Sequence, residues 1–241
     1  DGYTTCQKIK ANPETADIPV IFVTAQDSSF DEAHAFTMGG ADFISKPVSP
    51  AVVRARVRAQ LTIKAQADLL RRLAFVDGLT GIANRRQFDE SLQAAWSDTK
   101  RRHEPLGLIR IDVDHFKLYN DTYGHERGDA CLQAVADALK STMKRGLDLV
   151  ARFGGEEFAV LLPNTNLEGV LSIAEDCRRS VEALQIPHRS SSTAKTITIS
   201  LGAAVLVPSQ QTAAEELLKT ADKQLYAAKQ NGRNRVAASA E

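Results

Sequence analysis

Residues 149–163 form two apolar, β-rich runs joined by a turn that holds two glycines and two glutamates. Two strands joined so closely predict a β-hairpin. Gly154 and Gly155 let backbone approach a ligand that a Cβ would block, and Glu156 and Glu157 place paired carboxylates at an exposed turn. Such carboxylates suit Mg²⁺, which takes oxygen ligands and prefers a site shared with substrate phosphates. A charged, solvent-facing turn is the alternative explanation of the same residues.

The composition narrows the class of partner. A chain of 241 residues is long enough for one large or two small domains. Its 30 basic and 30 acidic side chains balance, so no global field recruits nucleic acid or an anionic membrane. No apolar run approaches the roughly 20 residues of a membrane span. We therefore predict a cytoplasmic protein with neither a nucleic-acid nor a membrane partner, and any anion site must be local.

The cysteines indicate the redox state of the chain, and its first residues indicate whether it is a fragment. Cys6, Cys131 and Cys177 are scattered without metal-ligand spacing, which predicts reduced thiols. Cys177 falls on the apolar stripe of a predicted helix, so we expect it in the core. Because the chain begins at Asp1-Gly2 without a methionine, we expect a fragment of a longer protein.

Residues 1–62 alternate apolar runs with helical patterns, which is typical of an α/β domain with a parallel sheet. The pattern predicts helices at residues 4–10 and 30–38, and strands at residues 18–24 and 43–45.

Residues 51–73 contain neither Gly nor Pro and predict one amphipathic helix of about 35 Å. Its apolar positions recur every four residues: Val53, Val57, Leu61, Ala65, Leu69 and Leu73. Packing onto its own domain is one explanation of this stripe. We favour a connector helix that dimerises, because a helix running from one domain into the next has little of its own chain to cover it.

The second domain, predicted at residues 74–241, opens on the turn Asp77-Gly78-Leu79-Thr80-Gly81. Asp77 and Arg86 either pair to fix the linker or are an ordinary solvated pair. Further along the chain, periodicity predicts strands at residues 106–113 and 196–207 and helices at residues 168–184 and 213–230. Gly202, within the strand predicted at residues 196–207, predicts a β-bulge. Elsewhere in the domain, Trp96 is expected to be a packing residue.

The strand at residues 106–113 ends in acidic residues. Asp112 at its end, facing the glutamate hairpin, supplies what a nucleotide-polymerising palm needs to hold Mg²⁺ against a triphosphate. Asp114 ranks below Asp112, because alternation along a strand leaves its direction open. We expect Asp121 to be a turn or helix-cap residue and His115 a packing or surface residue.

Basic residues near this cluster are candidates for phosphate contacts. Lys117 follows the strand in a predicted loop. On the last helix, Asp222 and Lys229 lie seven residues apart on a common face, and Arg233 follows the Asn231-Gly232 stop signal. Basic side chains at a helix C-terminus are also favoured by its dipole, so the residues alone leave both explanations open.

Residues 77–235 resemble the GGDEF family of diguanylate cyclases, and the GGEEF at residues 154–158 is that family's signature. The entry turn at residues 77–81 and the Asn84-Arg85-Arg86 after it match the entry motif of GGDEF domains and precede the signature, as they do in the family. The resemblance implies an α/β, palm-like fold shared with nucleotidyl cyclases, with a mostly antiparallel central sheet covered by helices.

The resemblance also implies roles residue by residue. Asp112, Glu156 and the Val113 carbonyl would bind Mg²⁺ or Mn²⁺, and Asn120 and Asp129 would bond the guanine edge. A carboxylate accepts the N1 and N2 protons of guanine, a pattern that adenine lacks. The other implied substrate-binding residues are Phe116, Lys117, Gly154, Gly155, Lys229 and Arg233.

Arg145 and Asp148 form an R-x-x-D that ends shortly before the hairpin turn. This placement resembles the family's inhibitory site for cyclic di-GMP. A guanidinium binds phosphate or the guanine Hoogsteen edge bidentately, and a carboxylate takes the guanine N1 and N2 protons. A surface ion pair is the alternative.

The sequences VIFVTA at residues 20–25 and GADFISKP at residues 40–47 resemble the C-terminal half of a response-regulator receiver domain, a flavodoxin-like α/β fold. The resemblance implies that Thr24 is the switch hydroxyl and Lys46 the phosphoryl-contacting lysine. The phospho-acceptor aspartate of receivers lies upstream of such an Asp1-Gly2, so we expect inert remnants here and a sensor histidine kinase as a partner only of the intact protein.

The implied reaction joins two GTP into cyclic di-GMP and two pyrophosphates in a homodimer, with Glu157 helping to deprotonate the ribose 3′-hydroxyl. Two alternatives remain. One is an inactive GGDEF module that senses GTP or cyclic di-GMP. The other is a palm-type cyclase acting on ATP, against which Asn120 and Asp129 argue.

Overall fold

The computed structural model describes residues 1–12, 15–25 and 29–240, so residue 241 of the predicted second domain lies outside them. The chain divides into two compact units, Asp1–Arg72 and Leu73–Glu241. The first holds α1 (Gly2–Ala11), β1 (Ile21–Thr24), α2 (Ser29–Thr37), β2 (Asp42–Ser45) and most of α3 (Pro50–Phe75). Strands β1 and β2 are parallel, as predicted.

Strand β1 begins three residues later than the predicted strand at residues 18–24. Ile18 closes a turn by donating its backbone N–H to Thr15 O at 3.1 Å. The adjacent Pro19 has no N–H to give to a strand ladder. The turn at Ile18 and the missing N–H of Pro19 therefore delay the start of the strand, although the apolar run begins earlier.

Helix α3 begins at Pro50, where a fixed φ is preorganised for a first turn. On one side Arg56 pairs with Asp42 at 2.6 Å, and Gln60 donates to Ala41 O at 3.1 Å. The predicted apolar stripe faces elsewhere: Leu61 is 58% exposed and Leu69 54%. The helix thus packs within its unit through polar contacts and leaves its stripe open.

The second unit is a six-stranded sheet in the order β3-β5-β6-β4-β7-β8 with helices on both faces. Its elements are β3 (Ala83–Asn84), α4 (Arg85–Arg102), β4 (Leu106–Val113), α5 (Phe116–Tyr123), α6 (His125–Thr142), β5 (Leu149–Gly154), β6 (Glu157–Pro163), α7 (Leu167–Glu182), β7 (Ile199–Leu206), α8 (Ala214–Gln230) and β8 (Val236–Ala240). Its three central pairings are antiparallel and the two outer ones parallel, which confirms the mixed, mostly antiparallel sheet.

Strand β4 is the spine of this sheet, because every one of its residues is buried. Ile109 and Ile111 point into a core shared with α6 and α7. Leu106 and Leu108 point to the opposite face, into a core shared with α4 and α8. Side chains alternate along a strand, so β4 residues with even numbers face the side of the sheet that α8 covers.

The predicted core positions are confirmed. Cys177 is fully buried, and burial raises the pKa of its thiol to about 11, so it stays a neutral core residue. Trp96 packs in the core beside α4 and α8 with 8% of its surface exposed. Among the described residues, no helix has the length and apolar character that a membrane crossing requires.

The predicted bulge at Gly202 is wrong. Strand β7 pairs with β4 in unbroken register from Ile199 to Leu206, and Gly202 lies opposite Arg110. The glycine is needed because α8 packs closely there: a Cβ would collide with the backbone of Ala221 and Leu225. The bulge in this sheet lies instead between Arg152 and Gly154.

We predict that Gly202→Ala lowers the free energy of unfolding by about 1–3 kcal/mol, because a helix backbone cannot move aside as a side chain does. Gly146→Ala is the matched control, since a Cβ there meets no heavy atom within 4 Å. Urea denaturation of both variants measures the difference. Equal stabilities would contradict the close approach of α8.

Candidate active site

The hairpin turn is shaped by its two glycines and one arginine. Gly154 has φ 149° and Gly155 φ 53°, a backbone that L side chains rarely adopt. The Arg152 guanidinium donates two hydrogen bonds to Gly155 O, at 2.9 Å and 2.8 Å, and a third to Asp77 Oδ1 at 3.0 Å. Arg152 therefore holds the turn that carries Glu156, a role that its sequence position did not reveal.

The proposed pair of Asp77 and Arg86 is wrong, because Arg152 is the arginine that reaches Asp77. Burial raises the pKa of Asp77, but hydrogen bonds from Thr80 and Arg152 outweigh it and leave that pKa lowered. Arg86 instead pairs with Glu90 at 3.5 Å on the surface of α4. The entry turn is thus tied to the hairpin.

Asp112 is the last residue but one of β4 and lies directly opposite Glu157 of β6. Its Oδ2 lies 2.7 Å from Lys229 Nζ, which α8 extends across the sheet. Burial raises the pKa of Asp112, and the charges of Glu156 and Glu157 act in the same direction against the Lys229 ion pair. Glu156 and Glu157 therefore act on Asp112 as like charges, which is an environment that favours a cation beside Asp112.

A buried arginine lies beneath these carboxylates. Arg110 is 5% exposed, and its Nη2 lies 3.0 Å from Glu157 Oε2. Its Nε lies 3.3 Å from Asp222 Oδ1, so Asp222 and Lys229 of α8 both reach β4 from the face predicted for them. The signal for Arg110 was present in the sequence as the one charged residue within the apolar run LGLIRI.

A cleft of about 460 Å³ opens beside the hairpin turn, between α5 and α6. Six of the residues predicted for substrate or metal line it: Phe116, Lys117, Asn120, Asp129, Gly155 and Glu156. Asn120 Oδ1 is buried in the structure without a hydrogen-bond partner, close to where a Cβ on residue 128 would lie. That oxygen is therefore buried against Gly128 and does not open into the cleft, and the missing side chain at residue 128 gives it room.

Two placements differ from the predictions. Lys117 is not in a loop but in the first turn of α5, because the chain turns through His115 at φ 56° and enters the helix at once. Asp121 is neither a turn nor a cap residue; it lies within the same helix, whose C-cap is Gly124. Both side chains line the cleft.

Asp114 is a structural carboxylate. It is 1% exposed and accepts hydrogen bonds from Thr198 Oγ1 at 2.7 Å, Ser200 Oγ at 2.6 Å and the Asn234 N–H at 3.1 Å. Its neighbour His115 packs against the loop after α7, where its Nε2 lies 3.1 Å from Thr193 Oγ1. Burial, with the positive charge of Arg233, lowers the pKa of His115.

The segment after α8 is fixed by Asn234. Its Nδ2 donates to Glu182 Oε1 at 2.9 Å, and its Oδ1 accepts from Arg178 Nη1 at 2.9 Å. Arg233 precedes it at φ 61° and donates its backbone N–H to Ala228 O at 3.0 Å. The backbone that carries Arg233 is therefore held at both ends, a feature that the sequence analysis missed.

Arg145 and Asp148 lie apart from the cleft. Arg145 Nη2 is 2.6 Å from Asp148 Oδ1 and 2.6 Å from Thr165 Oγ1. A second cavity of about 380 Å³ borders Asp148, between α4 and the start of β5. In the first unit, Thr24 and Lys46 are also adjacent, and the Lys46 N–H donates to Thr24 O at 2.8 Å.

The donor set suits an ion shared with a substrate better than a closed protein cage. Within the described parts of the chain, no three His, Cys, Asp or Glu side chains converge to hold a metal. Asp112 and Glu156 supply two carboxylates near one strand end, and a hard divalent cation completes such a shell with phosphate oxygens and water.

Comparison with known proteins places both units. Residues 74–235 match the diguanylate cyclase GGDEF domain, and residues 1–58 match the response regulator receiver domain. Response regulator PleD of Caulobacter vibrioides is 34% identical over the whole chain, which covers 54% of PleD. The probable diguanylate cyclase DgcC of Escherichia coli is 38% identical over 68% of the chain and 43% of DgcC. The chain thus spans about half the length of the curated relatives it matches.

Among solved structures, the coiled coil and GGDEF domain of DgcB from Caulobacter crescentus, in complex with c-di-GMP, is similar with a TM-score of 0.69 and 32% identity. The match covers 78% of this chain and 98% of that structure. Together with the matched residues 74–235, this similarity shows that the chain belongs to the diguanylate cyclase GGDEF domain family.

Proposed function

We propose that this chain condenses two GTP into cyclic di-GMP and two pyrophosphates. The observation that carries the proposal is the meeting of Asp112 and Glu157 across β4 and β6, with Lys229 bonded to Asp112. The cleft that holds Glu156 opens beside this pair. Carboxylates, a cation and a polar cleft at one sheet end are the parts that nucleotidyl transfer requires.

A divalent ion, Mg²⁺ or Mn²⁺, would be held by Asp112, Glu156 and the carbonyl of Val113. When bound, it stabilises the negative charge of the reacting phosphate and of the leaving pyrophosphate. Asp112 lies opposite Glu157 in register, and the Val113 N–H donates to Glu156 O at 3.3 Å, so the three proposed ligand residues meet at one end of the β4–β6 pair, which supports this assignment.

The cleft binds guanine. Asn120 and Asp129 both line it, and the Asp129 carboxylate accepts from guanine N1–H and N2–H, whereas adenine offers N1 as an acceptor. Phe116, which also lines the cleft, supplies apolar contact, and the backbone of Gly154 and Gly155 allows close approach of the nucleotide.

The phosphates are held by Lys117, Lys229 and Arg233. Lys117 lines the cleft, and Lys229 lies at the carboxylates. Arg233 follows the end of α8 on a backbone fixed by Asn234. Fixed cations of this kind orient a flexible triphosphate for in-line attack.

In each of two steps a ribose 3′-oxygen attacks the α-phosphorus of the other GTP, and the bond from that phosphorus to pyrophosphate breaks. Glu157 takes the 3′-hydroxyl proton. One domain presents one GTP, so two domains must face each other in a homodimer. The exposed apolar stripe of α3 supports a role as the dimer contact, and the receiver-like unit supports input from a histidine kinase in the whole protein.

The purified chain, incubated with GTP and Mg²⁺, should release cyclic di-GMP and pyrophosphate at a specific rate that rises with protein concentration. Chromatography quantifies both products, and ATP in place of GTP is the control. GTP binding without product at any protein concentration would overturn the cyclase and leave a nucleotide sensor, and product from ATP would overturn the guanine assignment.

We predict that Glu156→Gln lowers kcat by roughly 100-fold, because a neutral amide binds the divalent ion far more weakly than a carboxylate. Raising the Mg²⁺ or Mn²⁺ concentration should recover part of the rate. Glu168→Gln, an exposed acid at the start of α7, is the control. Wild-type turnover in Glu156→Gln would contradict the metal assignment.

We predict that Arg145→Ala relieves inhibition by added cyclic di-GMP and leaves the initial rate unchanged, because Arg145 lies outside the cleft. Calorimetry of cyclic di-GMP binding should show the same loss. Arg179→Ala removes an exposed arginine that pairs with Glu175 on α7 and should retain inhibition. Inhibition that persists in Arg145→Ala would refute the site.

A further inference from the structure

Arg110 is a charged residue at a buried position of the central sheet. It lies in the middle of the buried strand β4, on the α8 side of the sheet. Its neighbours in register are Ala159 on β6 and Gly202 on β7, and the backbone of α8 packs closely over Gly202. Leu108, two residues earlier on the same face, packs in the apolar core. Just below the active site, the guanidinium therefore lies where the next apolar side chain of that core would otherwise be.

Three groups hold this guanidinium. Glu157 Oε2 accepts a hydrogen bond from Nη2 at 3.0 Å. Asp222 Oδ1 lies 3.3 Å from Nε as an ion pair that does not reach hydrogen-bond geometry, so Nε is a buried donor without a hydrogen-bond partner among the residues that the structure describes. The ring of Phe153 lies beneath, with its centroid 3.8 Å from Cζ. A planar fork stacked on an aromatic ring has little rotational freedom, so the partner carboxylate is held in one orientation.

The partners of Arg110 come from three elements that meet at the site. Phe153 lies on β5, and Glu157 begins β6. Asp222 lies on α8, about two helical turns before Lys229 and on the same face. Glu157 itself is 46% exposed at its side chain, and within residues 1–12, 15–25 and 29–240 Arg110 is the one residue whose side chain bonds its carboxylate. Without this restraint, an exposed glutamate samples several rotamers.

We propose that Arg110 is a positioning residue that holds the Glu157 carboxylate beside Asp112 and ties its orientation to helix α8 through Asp222. The inference rests on the proposed cyclase function for its kinetic consequence. Arg110 contacts no substrate; it acts through Glu157, and Lys at this position cannot replace it because an ammonium offers neither the fork nor the stacked plane.

A double-mutant cycle of Arg110→Met and Glu157→Gln tests the proposal. Arg110→Met should lower kcat by about tenfold to a hundredfold and leave the KM for GTP within about twofold, because orientation and not binding is lost. In the Glu157→Gln background the same change should have no further effect. Independent, multiplying losses, or wild-type kcat in either single variant, would overturn it.

Arg110→Met should fold, because both acidic partners are about half exposed and are not left as buried, unpaired charges. Arg85→Met is the matched control. Arg85 also stacks on Phe153, with Cζ 4.9 Å from the ring centroid, but it pairs with Asp89 and not with Glu157. Its kcat should equal that of the wild type.

Amide hydrogen exchange separates this proposal from the cyclase assignment. Arg110→Met should speed exchange at residues 153–158 by roughly fivefold or more, and Arg85→Met should not. This measurement needs no turnover, so an inactive wild type would refute the cyclase function alone. Unchanged exchange in Arg110→Met would refute the positioning role even in an active enzyme.

Discussion

Two ion pairs of opposite sense join strand β4 to helix α8. Arg110 on the strand meets Asp222 on the helix at 3.3 Å, and Asp112 on the strand meets Lys229 on the helix at 2.7 Å. Apolar packing alone is non-directional and tolerates several rotations of a helix on a sheet. The crossed order of charges disfavours a reversed direction of α8, which would bring Arg110 to Lys229 and Asp112 to Asp222. The placement of Arg233, just beyond α8, follows from this docking.

The two aspartates at the end of β4 are treated differently by the fold. Asp114 is sealed among Thr198, Ser200 and the Asn234 N–H, so its charge is satisfied by fixed hydrogen bonds. Asp112 instead faces other carboxylates and one lysine, so its charge is only partly compensated. The first arrangement holds the chain that follows α8, and the second leaves a carboxylate able to accept a cation.

Sequence patterns predicted the elements better than their partners. The strand at residues 106–113 and the hairpin at residues 149–163 were found because alternation and turn glycines are local signals. The error at Asp77 arose because its partner, Arg152, lies 75 residues away, a pairing that no local pattern contains. Lys117 was misplaced because only two residues, Asp114 and the left-handed His115, separate β4 from α5, too short a break for periodicity to detect.

Strand β5 connects the two candidate sites of the second unit. It starts one residue after Asp148 and ends at the glycine turn, and its six residues span about 17–20 Å. Arg152 on this strand bonds both Gly155 and Asp77, so the turn is linked to the residue that follows α3 by two positions. A strand paired on both sides moves as a unit. The Arg152 hydrogen bonds therefore connect the entry turn directly to the glycine turn that carries Glu156.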